Sequence, residues 1–426
     1  MELNPQAIEL NNAIKAANTN VNEMLSEKGK AIFFPKKGIL GQGAEAKGKK
    51  INATIGIALE EDGSPMRLKS ISKRVKLEPG DVFPYAPSFG KKELRDKWKE
   101  MLYKKNPGLL GKELSLPIVT NALTHGLSMV GYMFIDAGDK VILPDQYWGN
   151  YRLILSNAYG ALLQTFQMFS GSGFNLDGLR ESLQGEGKKI LLLNFPNNPT
   201  GYTPTIAEAS AIREIILDAA KQGQKIIAIV DDAYFGLVFE EGILKESIFS
   251  MLCGLHENVL AIKLDGATKE DYAWGLRVGF ITYGTLDGNR QLYEALENKT
   301  TGAVRGSISN CSHLGQSLVY HAFSDPSYWN EKANKFKILN RRYKEVKKTL
   351  KNKSYGEEFS PLPYNSGYFM CIQLKKKDGE HVRKILLDKY DTGVISLGNI
   401  IRIAFSSVRT EDIKQLFDNI YNACRE

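Results

Sequence analysis

The sequence predicts an α/β protein: a mostly parallel sheet covered by helices, followed by a smaller α+β domain. Three observations predict it. From about residue 80 to 300, short runs rich in β-branched and aliphatic residues alternate with stretches of helical spacing. These runs are continuously apolar, the pattern of strands buried on both faces. Beyond residue 325 the order changes to a long charged helix and two further strand-like runs.

Taken in order, apolar positions at helical spacing predict a first helix over 5–27, followed by a Gly- and Lys-rich stretch to Lys50. Residues 1–50 therefore read as an arm. Within it, Gly43 to Lys50 nearly matches the phosphate-loop pattern GxxxxGK plus a hydroxyl residue, but Lys50 replaces the hydroxyl and no strand-like run enters the loop. It reads as a turn-rich connector. Strands are predicted at Lys140–Leu143, Lys189–Leu193, Lys225–Val230, Val259–Leu264 and Val278–Tyr283, inside a large domain over 51–320. A helix over Asn330–Lys351 then leads to strand-like Tyr368–Ile372 and Ile401–Phe405, a small C-terminal domain over 321–426 that packs with the arm.

With 426 residues, 43% apolar and 24% charged, the chain can bury a large core. Cys253, Cys311, Cys371 and Cys424 are far apart and form no CxxC pair, so neither disulfides nor a zinc knuckle is expected, and a reducing cytoplasm fits. The start, Met1 to Pro5, lacks the pattern of a signal peptide, and no apolar run approaches a membrane span. A net charge of +8 raises nucleic acid as a partner, but the lysines are interspersed with acids, and Lys344 to Lys353 reads as a solvated helix face. Neither nucleic acid nor membrane is expected as a partner. The five histidines show neither HExxH nor HxH spacing, so no metal is expected.

Four segments at strand ends carry chemistry, because active groups in open α/β sheets collect at the strands' carboxyl ends. Asn194-Phe195-Pro196-Asn197-Asn198-Pro199-Thr200-Gly201 is rich in turn formers, and Val230-Asp231-Asp232-Ala233-Tyr234 ends an apolar strand in two acids. Gly266-Ala267-Thr268-Lys269 places a lysine between two strands, with Arg277 opening the second. Arg402 sits among apolar residues in Ile401–Phe405 and needs an anionic partner. A lysine, an acid, an amide and two arginines suit an aldehyde cofactor with a phosphate and an acid substrate.

In this order and spacing the segments resemble the class I and II aminotransferases of pyridoxal 5'-phosphate fold type I, from about Ile51 to the C-terminus. The resemblance implies a seven-stranded sheet in the large domain, pyridoxal 5'-phosphate as cofactor, and an amino group moved from an L-amino acid to a 2-oxo acid. Lys269 then carries the cofactor and shuttles the proton, Asp231 faces the ring nitrogen, and Asn198 and Tyr234 bond the phenolic oxygen. Asp232 is structural. Arg277 pairs with the phosphate, helped by the amides of Ala122 and Leu123 at a helix start. Trp148 resembles the aromatic residue that stacks on the cofactor, with a core tryptophan as the alternative. Tyr85 is similar to the tyrosine that in dimeric relatives reaches the neighbouring subunit's phosphate, which implies a homodimer with shared sites. Arg402 is the choice for the substrate α-carboxylate, and Gly56 resembles the glycine that lets backbone approach the substrate, or marks a plain turn.

Three positions depart from the aspartate aminotransferase pattern. Gly266 and Leu123 stand where hydroxyl residues bind phosphate, and Tyr151 stands where a histidine adjoins the ring-nitrogen acid. Thr268, Thr124 or His125 are the candidates to compensate. Arg305 resembles an arginine that binds a distal carboxylate, and an exposed helix-end arginine is equally consistent, so aspartate, glutamate and aromatic substrates all stay open. Lyase and decarboxylase chemistry on the same fold is the alternative, and a non-catalytic sensor is more remote.

Overall fold

The computed structural model describes residues 3–35, 38–351 and 353–426. Its centre is a seven-stranded sheet: β1 (Ile118–Asn121), β2 (Lys140–Pro144), β3 (Leu162–Phe166), β4 (Lys188–Asn194), β5 (Lys225–Asp231), β6 (Val259–Gly266) and β7 (Val278–Gly284), in the order β1-β7-β6-β5-β4-β2-β3. Strand β7 runs antiparallel to both neighbours, and the remaining pairs are parallel. The five strands predicted from sequence are all present, each extended by one or two residues.

Register decides where chemistry can collect. Asn194 at the end of β4 pairs with Asp231 at the end of β5, Asp231 with Leu264 near the end of β6, and Gly266 with Gly279 at the start of β7. Val278 in turn pairs with Asn121, the last residue of β1. Five strand termini therefore share one edge of the sheet.

Helices cover both faces, among them α2 (Lys92–Lys105), α3 (Ala122–Phe134), α4 (Ile206–Lys221) and α5 (Arg290–Ile308). Helix α4 shows why the sequence folds so locally: Thr205 and Glu208 form a reciprocal capping box, and Ala209, Ile212, Ile215, Ile216 and Ala219 turn one stripe to the core.

Helix α6 (Tyr328–Thr349) bridges the two cores, with Leu339 in the large one and Tyr343 and Val346 in the small one. The small domain is an antiparallel sheet, β8 (Phe359–Pro361), β9 (Met370–Leu374), β10 (Ile395–Leu397) and β11 (Ile400–Ile403), in the order β8-β9-β11-β10. Helix α7 (Ile413–Arg425) packs on it through Leu416, Phe417 and Ile420.

Three expectations need correction. The first helix is not continuous over 5–27: α1 (Pro5–Ala17) ends at Asn18, whose extended backbone breaks it and whose side chain caps the next helix, Thr19–Met24. The connector before Lys50 contains a helical turn pair, Ile39–Glu45. The domain boundary expected at residue 51 falls later, because Ile51 and Ala53 are buried in the small core and Ile51–Asn52 pairs with Thr392–Gly393. Before Lys50, the Gln42 amide exchanges two hydrogen bonds with the Ser396 backbone, and Glu45 pairs with Arg383 at 2.9 Å.

Candidate active site

A cavity of about 1470 Å³ opens at the shared strand edge, between the large domain, the small domain and the arm. Its walls include Lys269, Asp231, Tyr234, Asn198, Arg277 and Arg402, six residues drawn from four separate segments of the sequence. Thr268, Trp148, Gly56, Ala122 and Leu123 line it as well.

Lys269 stands on a short helix, Ala267–Glu270, that directly continues β6. Its ammonium lies 4.7 Å from the centre of the Tyr234 ring. Burial, with a smaller contribution from Arg277, pulls its pKa down to about 8 against the attraction of Asp231. A lysine so placed is neutral in a sizeable fraction near neutral pH and is a competent nucleophile.

Asp231 ends β5, 3% exposed, and accepts hydrogen bonds from the Tyr151 hydroxyl at 2.6 Å and the Ala233 N–H at 3.0 Å. Burial raises its pKa, while Tyr151, Lys269 and the Ala233 amide draw it back. Tyr151 is thus the partner that the sequence had suggested was lost with the histidine: burial and the adjacent carboxylate raise its own pKa far up, so it stays a donor. Asn194 was not picked out from sequence. Its side chain donates to the Asp231 carbonyl at 2.9 Å and accepts the Asn198 N–H at 2.8 Å, tying two wall residues together. Asp232 faces away from the cavity, bonded to Ser247 at 2.5 Å and paired with Lys263.

Arg277 adopts a left-handed backbone, φ 55°, and spends one weak bond of 3.3 Å on the Trp274 carbonyl. Among the described residues it makes no ion pair. Arg402 is 3% exposed on β11, donates to the Thr54 carbonyl at 3.2 Å and lies 4.4 Å from the centre of the Phe369 ring. Its Nε has no hydrogen-bond partner, and burial lowers its pKa. A buried guanidinium with no carboxylate partner among the described residues can bind an anion.

The phosphate loop is rearranged relative to expectation. Ala122, with φ 60°, turns the chain from β1 into α3, and its N–H donates to the Arg277 carbonyl at 3.1 Å, so this amide is not free for an anion. Leu123 and Thr124 follow in the first turn of α3, which has no side-chain cap. Their N–H groups lack intrahelical acceptors, and both residues line the cavity. His125 is committed elsewhere, its ring accepting the Asn121 N–H and meeting the Ser307 hydroxyl, both at 3.1 Å. Thr268 is the better substitute: its Oγ1 is buried without a partner. Gly266 has a steric reason, since a Cβ there would stand 2.5 Å from the Val278 carbonyl oxygen.

Trp148 is half-buried, edge-on to Tyr151 with ring centres 5.6 Å apart. Gly56 faces open space, with no protein atom within 4 Å of an added Cβ. Two expected residues are not brought in. Tyr85 is 90% exposed, and Arg305, bonded to Ser309 at 3.1 Å, is an exposed residue near the end of α5; neither lines the cavity of its own chain.

The family model for aminotransferases of class I and II matches residues 49–420. The chain belongs to this family. Among curated relatives of this aminotransferase-family chain, the aspartate aminotransferase of Bacillus subtilis is 26% identical over 254 residues, 57% of each chain. The match therefore spans little more than half the length of that relative. The chloroplastic aspartate aminotransferase of Arabidopsis thaliana is 22% identical over 400 residues, 89% of this chain and 84% of the relative. Of solved structures, an aminotransferase from Anaerococcus prevotii superposes with a TM-score of 0.83 at 24% identity, covering 95% of this chain and all of the other. The aromatic aminotransferase of Pyrococcus horikoshii gives 0.73 at 18% identity, over 91% and 99%.

Proposed function

We propose that this aminotransferase-family chain binds pyridoxal 5'-phosphate at Lys269 and moves an amino group from an L-amino acid to a 2-oxo acid such as 2-oxoglutarate. One observation carries the reading: a lysine with its pKa drawn to about 8 shares a cavity with a buried carboxylate, Asp231, and two cations without carboxylate partners, Arg277 and Arg402. The cofactor fits these residues, because the orphaned Thr268 hydroxyl, the open amides of Leu123 and Thr124, and Arg277 together offer what a phosphate accepts.

When bound, the cofactor supplies an aldehyde and an electron-withdrawing ring. With the cofactor bound, the Lys269 amine would hold it and would take and return the proton at the substrate α-carbon. The Asp231 carboxylate, held by Tyr151, would face the ring nitrogen and keep it protonated. Asn198 and Tyr234 would donate to the phenolic oxygen, Trp148 would pack on the cofactor ring, and Arg402 would grip the substrate α-carboxylate, with Gly56 beside it. Retaining that carboxylate is what transamination needs and α-decarboxylation does not.

The relatives' names support aspartate, glutamate or an aromatic amino acid as donor. The reading includes a homodimer, located in the cytoplasm, in which Arg305 and Tyr85 would reach the neighbouring subunit's site, since neither lines the cavity of its own chain. The test is the visible spectrum of the purified protein with each amino acid added in turn. An absorbance band that is absent in Lys269→Ala, that shifts with a donor and returns with 2-oxoglutarate, is expected. Ammonia, pyruvate or an amine formed without that cycle would mark a lyase or decarboxylase instead.

A further inference from the structure

Behind the cavity wall lies a buried cluster of charges that the proposed chemistry does not use. Successive residues of the Lys269 turn face opposite ways: Thr268 and Lys269 line the cavity, while Glu270 and Asp271 point into the protein, with side chains 5% and 0% exposed. Glu270 accepts from Lys105, at the end of α2, at 2.8 and 3.0 Å, and from Lys332 of α6 at 2.9 Å. Asp271 meets the same Lys332 at 3.0 Å and accepts the Tyr328 hydroxyl at 2.5 Å. The Tyr368 hydroxyl donates to the Lys269 carbonyl at 3.3 Å from the opposite side.

Two carboxylates on adjacent residues are thus bridged by one ammonium, that of Lys332 from the helix joining both domain cores, while Lys105 adds a second cation at Glu270. Burial would push Glu270 up, but Lys105 and Lys332 outweigh it and hold its carboxyl low. Glu270 therefore depends on the cations to stay charged in the interior, whereas burial, with the Glu270 charge beside it, keeps the Asp271 carboxyl raised despite Lys332. A surface salt bridge could be lost without moving the turn; here the Glu270 and Asp271 side chains are 5% and 0% exposed, so solvent has little access to take the place of Lys332.

We propose that Lys332 is a positioning residue for Lys269, acting through Glu270 and Asp271: it fixes the turn so that the lysine amine meets the reacting atoms, and it ties that alignment to helix α6. The inference rests on Lys269 being the cofactor lysine, as argued above. Nothing in the turn besides these contacts faces the interior with charge, and the neighbouring charged groups, Asp232, Lys263 and Asp265, are paired among themselves.

The test is Lys332→Met in the cofactor-loaded enzyme, with Lys332→Arg as the conservative control. Three readouts are taken: kcat and KM for the donor, the pH midpoint of the lysine-bound cofactor's visible absorbance, and cofactor affinity. Misalignment predicts a fall in kcat on the order of 10- to 100-fold with KM little changed. The midpoint should rise by roughly half a pH unit, because losing a cation leaves excess negative charge that stabilises the protonated nitrogen. Lys332→Arg should recover most of both. If Lys332→Met fails to fold, Glu270→Gln, which leaves Lys332 its Asp271 partner, is judged by the same kcat and KM criterion. An unchanged kcat and midpoint in a folded variant, with only a lower melting temperature, would overturn the inference. Absence of any bound cofactor in the wild type would instead overturn the proposed function.

Discussion

Tyr151 is the residue whose contribution is measured most directly. Its hydroxyl is the one side-chain donor that Asp231 accepts, so Tyr151→Phe should raise the aspartate's pKa further and move the acid limb of the pH–rate profile to higher pH. A charged hydrogen bond of about 1.5 kcal/mol corresponds to roughly a tenfold fall in kcat; a profile that superimposes on the wild type would remove Tyr151 from the mechanism. Thr268→Ala should weaken cofactor affinity by about tenfold if its orphaned hydroxyl meets the phosphate, as a titration of the cofactor-free protein would show. At this scale the sequence was legible wherever a residue type is chemically out of place, as a lysine or an arginine at a strand end is. Tyr151 was not legible as a partner, because a phenol in place of a histidine reads as a loss until its distance to Asp231 is known. Ala122 failed for a related reason: which carbonyl captures an amide depends on the neighbouring strand, here through Arg277.

At the scale of elements, the backbone is closely packed around β7 at Gly266 and Gly279. A side chain at either position would strike backbone, the Val278 carbonyl in one case and Ala122 in the other. Restoring the serine of the aspartate aminotransferase pattern, Gly266→Ser, should therefore destabilise the protein by about 1 to 3 kcal/mol in urea denaturation and gain no cofactor affinity. Equal stability with tighter binding would show that the strand pair yields. The buried strands were legible because fully apolar runs of β-branched residues have few other homes. The N-terminal helix was misjudged because Asn18 is neutral in a periodicity count, while in three dimensions it ends one helix and starts the next. The helix Ile39–Glu45 was hidden by its glycines, which it tolerates because Gln42 and Glu45 anchor it to the small domain.

For the whole molecule, the two-domain division followed from the change of pattern after residue 325. Its seam did not, since Ile51 and Ala53 reach the small core by pairing beside Thr392 and Gly393, a contact far away in sequence. The expected homodimer makes a strong prediction, because it assigns Tyr85 to a neighbour's cavity. Neither Tyr85→Ala nor Lys269→Ala should be active alone, yet the mixed and re-paired proteins should recover about a quarter of wild-type sites by random pairing. No recovery, with dimers present by sedimentation, would confine each site to its own chain.

The dispersion of the cavity walls along the chain also sets an order of assembly during synthesis. Lys269, Asp231 and Arg277 leave the ribosome well before Arg402 and Leu397, and the strand that seats Arg402 pairs with β9 and β10. A nascent chain thus carries Lys269, Asp231 and Arg277 while Arg402, which lines the same cavity, is still to be translated.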